Sequence, residues 1–430
     1  MMTLFDWQKP LALRLAWMCH NNAYNLVALP TGSGKTFISC QVLKKLGITP
    51  LVICPKSAIS TWKNVCAGFE LTPLGIVNWE KLKTGKTGWL KRDDNLWKWN
   101  IPAARSILLI DEVHKGCSGP ETEVGLAVAL LKRQGIKALM MSATVASNPM
   151  QMRHTGFLLS AHNWARDSFF GWCKRHGCRF DAFLGRWVLP KGESLVEQMG
   201  LIRKEISDKI LYLPVDKIPG FPTTLIEPRL YDFSTRDTAE INRAYTEMSE
   251  ELKRPGRTEL AELGKVRHRV ELLKIPLFSE LVQDTLETGT SAVVFLNYKD
   301  SVRSLCDQLA SEGISNVSTL TGDSTVIERQ DAITAFQTNK NHVFICTSAG
   351  GTAISLHDVL KSRPRVSFIS PTYNASDFRQ SLGRIVRVEG THTVQTIVLA
   401  AGTLEERIHK TISVKLNALD TLNDSDFRVG

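Results

Sequence analysis

No stretch of this chain approaches the ~20 consecutive apolar residues of a membrane-spanning helix, which argues against a helical membrane protein. The N-terminus, MMTLFDWQKP, carries an early Asp6 and no cationic-then-apolar run; that argues against a secretory leader. Cysteines are few for the length: nine in 430 residues, odd in number and scattered. A disulfide scaffold is excluded, and reduced thiols in a cytosolic or nuclear compartment are expected, the host cytoplasm if the source is viral. Short-period repeats and low-complexity tracts are lacking. With 22% charged and 43% hydrophobic residues, a largely disordered chain and a collagen are ruled out. The length suits two or three domains, each with its own core.

Carboxylates are scarce at the front. Asp6 is the only one before Glu70, while Lys9, Arg14, Lys35, Lys44, Lys45, Lys56 and Lys63 are all cationic. Over the whole chain 53 Lys and Arg face 43 Asp and Glu, a net charge of +10. That balance suits a polyanionic partner, and it suits equally a soluble enzyme with a cationic surface.

What is present alternates. Leu26–Leu29 reads as a buried strand, followed by a Gly-rich turn and then by Phe37, Ile38, Val42, Leu43 and Leu46 at helical spacing. Leu51–Cys54, Ile107–Ile110 and Ala138–Ser142 read as further strands, which predicts a parallel sheet with helices on both faces. From about Met150 to Pro228 the chain is rich in aromatic and basic residues without a clear strand series, and Pro214, Pro219-Gly220, Pro222 and Pro228 punctuate its end like a linker. Long helical patterns over Thr235–Lys253 and Thr258–Glu287 follow. A second strand series then runs through Ala292–Leu296, Val343–Cys346, Val366–Ser370 and Val394–Leu399. The expected organisation is an α/β lobe over residues 1–150, an irregular, partly helical middle over 151–228 and a second α/β lobe over 229–430.

Two motifs carry chemistry. Thr31-Gly32-Ser33-Gly34-Lys35-Thr36 lies between a strand and a helix. Its glycines let main-chain N–H groups point at phosphate oxygens, and the helix N-terminus favours negative charge. Lys35 can reach the β- and γ-phosphates, and the Thr36 hydroxyl can ligate Mg²⁺. The strict phosphate-loop pattern wants Gly where Leu29 stands. Asp111-Glu112-Val113-His114 closes the run Ile107–Ile110. A carboxylate at the end of a buried strand can hold Mg²⁺ and its neighbour can deprotonate a water, so Asp111 is read as a metal ligand with Thr36, and Glu112 as the base. Three other features stay ambiguous. Cys173, His176 and Cys178 space like metal ligands but lack a fourth donor, so no zinc is expected. Trp89, Trp97 and Trp99 among Lys91, Arg92 and Lys98 suit base stacking or an insertion packed on the first lobe. The basic stretch Arg166–Arg186, with Phe169, Phe170 and Trp172, suits a nucleic-acid groove or a satellite core.

The ordered set resembles the superfamily-two helicases and translocases. The phosphate loop is followed by Asp111-Glu112-x-His114, then Ser142-Ala143-Thr144, and late in the chain by Gln380-Ser-Leu-Gly383-Arg384-Ile-Val-Arg387, similar to that group's Q-x-x-G-R-x-x-R motif. The segment Thr347–Leu356, TSAGGTAISL, is similar to the A-G-G-x-x-I-x-L motif of the Swi/Snf-like branch, and Pro55-Lys56-Ser57 with Trp62 to its P-x-S…W segment. Phe5-Asp6-Trp7-Gln8 resembles the adenine-reading segment. The set runs from Phe5 to about Ile412. Departures are Gly-Ser-Gly-Lys-Thr in place of that branch's Gly-Leu-Gly-Lys-Thr, and Ser142-Ala143-Thr144-Val145 in place of its Gly-Thr-Pro-type segment. The middle has no recognisable histone-reading domain, as in the compact motors of viruses and phages.

The resemblance implies two RecA-like parallel-sheet lobes in tandem and hydrolysis of Mg²⁺-bound ATP between them. Gln8 would face adenine, Thr31 to Thr36 would hold the phosphates, and Arg384 and Arg387, three apart and so on one helix face, would act from the second lobe. Gly351 and Gln380 would link nucleotide state to the track, and His114 would couple to Ser142, Ala143 and Thr144. The implied activity is ATP-driven movement along nucleic acid, most simply duplex DNA gripped by its phosphates, by a monomer with no membrane partner. A strand-separating DNA or RNA helicase and an ATP-gated nucleic-acid clamp are the alternatives.

Overall fold

The computed structural model describes the chain apart from residues 1, 94–95, 103–104, 116–122, 144, 184, 215–216, 223, 252–258, 348–353, 372–380, 388–390, 392 and 407–430. Thr144, Gly351 and Gln380 therefore lie outside the described residues. The chain divides into two units at Pro219–Gly220, where the Pro-Gly punctuation falls. No described helix is long and apolar enough to cross a membrane.

The first unit is built on a six-stranded sheet. In spatial order the strands are Ile210–Tyr212, Tyr24–Ala28, Ala138–Met141, Ser106–Asp111, Thr49–Ile53 and Gly75–Val77. Every neighbouring pair is parallel. The central strands are buried along their length, as expected of parallel strands covered on both faces, whose sequences are near-continuous apolar runs. Met141 pairs with Val27 on one side and Asp111 on the other. Three neighbouring strands thus end at the same level, where the phosphate loop, Ser142 and the Asp111-Glu112 pair begin. Ligands of open α/β sheets bind at such carboxyl ends.

The stretch read as a linker or insertion contributes to this unit as far as Pro219. Helices Arg166–Arg175 and Glu193–Glu205 bring Phe169, Trp172, Leu195, Met199 and Ile202 into one cluster with sheet residues Leu26, Ala28 and Leu108. The stretch then supplies the strand beside Tyr24–Ala28. The tryptophan-rich segment is an antiparallel hairpin, Leu90–Asp93 with Leu96–Trp99. Its Trp99 is buried and donates its indole N–H to the Ala127 carbonyl at 2.8 Å, so that ring is part of the core rather than a stacking platform.

The second unit repeats the plan. Its sheet order is Thr224–Tyr231, Thr393–Ala400, Arg365–Ile369, Ser291–Leu296, Val343–Thr347 and Val317–Leu320, again all parallel. Helices Ile275–Glu287 and Lys299–Ser311 cover it through Phe278, Val282, Val302 and Leu305. Pro228, expected to punctuate a linker, sits inside the edge strand Thr224–Tyr231, paired across from Ile397. Proline lacks an N–H, and a strand with a neighbour on one side only tolerates that loss. Buried Lys274 bonds to both oxygens of the Glu405 carboxylate, at 3.1 and 3.0 Å, and to the Val398 carbonyl.

Candidate nucleotide site

The phosphate loop is shaped by conformation before chemistry. Gly32 and Gly34 have φ of +84° and +81°, the left-handed region that disfavours any residue with a Cβ. At Gly34 there is also no room, because a Cβ there would stand 2.4 Å from the Gln8 amide nitrogen. Gly34 caps helix Lys35–Leu46, whose first-turn N–H groups lack intrahelical acceptors and face the loop's concavity. Gln8 is 3% exposed. Its Nε2 donates to the Ser33 carbonyl at 2.9 Å, and its Oε1 accepts the Phe5 N–H at 3.0 Å. The Ser33 hydroxyl donates to the Pro30 carbonyl at 2.7 Å. The Lys35 ammonium donates to the Leu29 and Pro30 carbonyls at 2.9 and 3.0 Å. Thr31, Gly32, Gly34, Lys35 and Thr36 all keep partial solvent access. A loop with these conformations, a cation folded beside it and a helix N-terminus behind it fits a polyphosphate.

Asp111 ends its strand with both oxygens engaged. Oδ2 accepts the indole N–H of Trp62 at 2.8 Å, and Oδ1 accepts the Glu112 N–H at 3.0 Å. Burial first, and the Glu112 charge second, push its pKa up to about 6; Trp62 and the Lys35 charge pull the other way. A carboxylate and a hydroxyl are hard oxygen donors of the kind Mg²⁺ takes, so the donor types of Asp111 and Thr36 fit that ion. Sequence reasoning noted Trp62 as part of a segment but gave it no role. Its position on helix Ile59–Gly68, 1% exposed, makes it the residue that fixes the Asp111 carboxylate. The P-x-S…W spacing was the only hint.

Glu112 has φ of +51°, which is uncommon for a residue with a side chain and characteristic of functional sites. The turn brings Oε2 to 3.4 Å from the Ser142 hydroxyl and 3.5 Å from His114 Nδ1. His114 Nδ1 and the Ser142 hydroxyl are 2.8 Å apart, and the Ser142 N–H donates to the Val27 carbonyl at 3.1 Å. Glu112, His114 and Ser142 therefore form one triangle tied to the strand that feeds the phosphate loop. Ala143 is buried directly after it.

In the second unit, Arg384 and Arg387 lie past the helical residues 381–382, Arg384 in a bend and Arg387 in chain without regular structure, and so do not share a helix face. Three-residue spacing places side chains together only while a helix lasts, and the helical pattern stops at Gly383. A common partner unites them instead: Arg384 Nη1 and Arg387 Nη2 both donate to the Ile354 carbonyl, at 3.3 and 3.2 Å. Arg387 Nη1 also donates to the Gly383 and Val386 carbonyls at 2.6 Å, and Leu356 N–H donates to the Arg384 carbonyl at 2.8 Å. The late arginine motif is thereby knotted to the end of the TSAGGTAISL segment. Burial, with the Arg384 charge second, lowers the Arg387 pKa to about 9, and it remains a cation at neutral pH.

Cys173 and Cys178 are buried, and His176 is paired. His176 Nε2 stands 3.2 Å from a Glu205 carboxylate oxygen, and its ring packs on Trp172.

Residues 273–389 match the helicase conserved C-terminal domain. Over 460 aligned positions, 98% of this chain and 84% of the relative, the sequence is 30% identical to an Acanthamoeba polyphaga mimivirus protein named as an ATP-dependent RNA helicase. A shorter stretch of 92 residues, 21% of this chain and 5% of the other, is 38% identical to the chromatin-remodelling ATPase INO80 of Cryptococcus neoformans. The structure of S. cerevisiae Dbp5 bound to RNA and ADP BeF3 aligns with 98% of this chain and 89% of its own at 15% identity and a TM-score of 0.54; it shares the tandem RecA-like fold. With two parallel-sheet units and a relative matched nearly end to end, this chain belongs to the superfamily-two helicases, ATP-dependent motors whose hydrolysis depends on nucleic acid.

Proposed function

We propose that this motor translocates along duplex DNA, in the manner of the Swi/Snf-like branch and in a compact, virus-like form. The supporting observation for the chemistry is the convergence of the phosphate loop, Asp111-Glu112 and Ser142 at the ends of three neighbouring strands. Gly32, Gly34 and the first turn of Lys35–Leu46 hold the phosphates, with Thr31 and Ser33 shaping the loop. Lys35 swings from the Leu29 and Pro30 carbonyls onto the phosphate chain. Bound Mg²⁺, held by Asp111 and Thr36, would shield the charge that develops during phosphoryl transfer. Glu112 orients and deprotonates the attacking water. Ser142 and His114 hold its carboxylate and, with Ala143 and Thr144, relay its state. Gln8 ties base recognition to loop shape, since one amide serves both the Phe5 segment and Ser33. Arg384 and Arg387 stabilise the transferring phosphoryl group, and Gly351 and Gln380 carry the response to the track.

The Pro55…Trp62 segment, TSAGGTAISL and the kinship with a chromatin-remodelling ATPase support the duplex-DNA reading. Strand separation on RNA is the second reading, favoured by the name of the mimivirus relative. Steady-state ATPase measured side by side with single-stranded DNA, duplex DNA, single-stranded RNA and duplex RNA decides between them. Greatest stimulation by duplex DNA, with triplex displacement and no fork unwinding, is expected. Efficient fork unwinding, or stimulation by RNA alone, selects the second reading.

A further inference from the structure

The aromatic and basic stretch of the first unit divides its rings between two uses. Phe169 and Trp172 are buried in the core. Phe183, by contrast, is 97% exposed, beyond the end of an antiparallel hairpin formed by Arg179–Asp181 and Arg186–Val188. Phe180 and Trp187 are cross-strand partners on one face. Trp187 is seated on the body of the unit, stacking on Phe170 with centroids 4.6 Å apart and rings 9° from parallel, while Phe180 stays 51% exposed. Arg179, Asp181 and Arg186 share the opposite face, since side chains alternate along a strand, and both arginines are exposed. The Asp181 carboxylate accepts the Phe183 N–H at 3.0 Å, which shapes the backbone from which the ring projects. Between residues 174 and 191 the chain carries Lys174, Arg175, Arg179, Arg186 and Lys191 against a single carboxylate, Asp181.

We propose that this hairpin is a nucleic-acid contact in which the Phe183 ring stacks on an unpaired DNA base and Arg179 and Arg186 take the flanking phosphates. The proposal rests on the reading of the chain as a DNA motor, and adds to its duplex track a contact for bases already unpaired at a duplex end or gap. The Phe183 ring, with Phe180 51% exposed in the same hairpin, lies in a stretch of five cations and one carboxylate, a pairing of aromatic surface with positive charge. It suits single-stranded nucleic acid, where every base offers a π-face and the backbone attracts guanidinium groups. The contact stands apart from the phosphate loop in sequence and in its chemistry, and none of its residues is assigned to hydrolysis.

The test is fluorescence anisotropy with the full chain and 5′-fluorescein oligonucleotides of equal length: single-stranded DNA, blunt duplex DNA and single-stranded RNA. Phe183→Ala is expected to weaken single-stranded DNA binding about tenfold, the scale of one lost base stack. Blunt duplex binding should stay within about twofold, and Phe183→Trp should restore the single-strand affinity. The double change Arg179→Gln with Arg186→Gln should flatten the log–log salt dependence on single strands by about 1.4, two phosphates at ~0.7 each. ATPase without polymer is expected to be unchanged in all three, showing an intact fold. Unaltered single-strand affinity in Phe183→Ala, an equal loss on blunt duplex, or a loss confined to RNA overturns the proposal. Wild-type protein that binds none of the polymers overturns the motor reading as well, and so separates the two failures.

Discussion

The indole N–H of Trp62 donates to Asp111 Oδ2 at 2.8 Å across 49 residues of sequence. One oxygen of the proposed metal ligand is thus fixed by a group that cannot itself be ionised. Trp62→Phe keeps a buried ring and removes the donor. We expect stability to fall by ~1.5–3 kcal/mol, the range for a hydrogen bond to a charged group. The Mg²⁺ concentration for half-maximal ATPase should rise while the fitted KM for ATP at saturating Mg²⁺ changes little. A Mg²⁺ titration that superimposes on wild type would leave Trp62 with a packing role alone.

Gly34 and Gln8 are coupled by space. Gly34→Ala should weaken nucleotide binding through two effects, the left-handed backbone and the collision with the Gln8 amide. Adding Gln8→Ala relieves the second and not the first. A double-mutant cycle read by equilibrium nucleotide binding should give a favourable coupling of ~0.5–3 kcal/mol, while strict additivity would contradict the crowding.

Glu112→Gln preserves the shape of the triangle with His114 and Ser142 and removes the proposed base. ATP binding should persist while hydrolysis falls to background. Ser142→Ala should spare basal turnover more than the polymer-stimulated part, because it loosens Glu112 without removing it. A Glu112→Gln protein that turned over at the wild-type rate would refute the assignment of the base.

Arg387→Ala should cut turnover by ~10³-fold or more with ATP affinity nearly intact, if it acts as arginine fingers do. Its bonds to Ile354, Gly383 and Val386 mean that a melting curve must accompany the kinetics. A raised KM at constant kcat would make it a ground-state binding residue.

His357 gives the second unit a pH dependence. Burial, then the charges of Arg387 and Arg365, lower its pKa to about 4, and the Ser355 hydroxyl lies 2.7 Å from its Nδ1. The unfolded imidazole titrates near ~6.5. Between those values the unfolded chain holds the extra proton, so this group's contribution is present above about 6.5 and is lost as pH falls toward 4. Denaturant unfolding across that window should show the decline, and His357→Gln should flatten it. A slope identical in the two proteins would remove His357 as its source.

The strands beside the phosphate loop were legible because each is a local apolar run, and the chemistry because its residues are consecutive. Other features were not. Pro228 reads as a break until its place on a sheet edge is known, since proline's missing N–H matters only where a neighbour expects it. Ile210–Tyr212 is three residues long, too short for any period to declare itself. Trp62 and Asp111 meet through tertiary packing, and no spacing rule spans 49 residues. Arg384 and Arg387 were expected to share a helical face, but their common partner is a main-chain carbonyl, which no side-chain pattern encodes.

The order of the first sheet has a consequence for synthesis on the ribosome. The strand that leads into the phosphate loop, Tyr24–Ala28, is made early, yet both of its neighbours, Ala138–Met141 and Ile210–Tyr212, are made late. A nascent chain must therefore carry an apolar strand with two open edges until residue 141 has left the exit tunnel, and with one open edge until residue 212 has. Unpaired edges of that kind recruit other chains, so translation pausing or truncation ahead of residue 212 should yield aggregate rather than a smaller nucleotide-binding fragment.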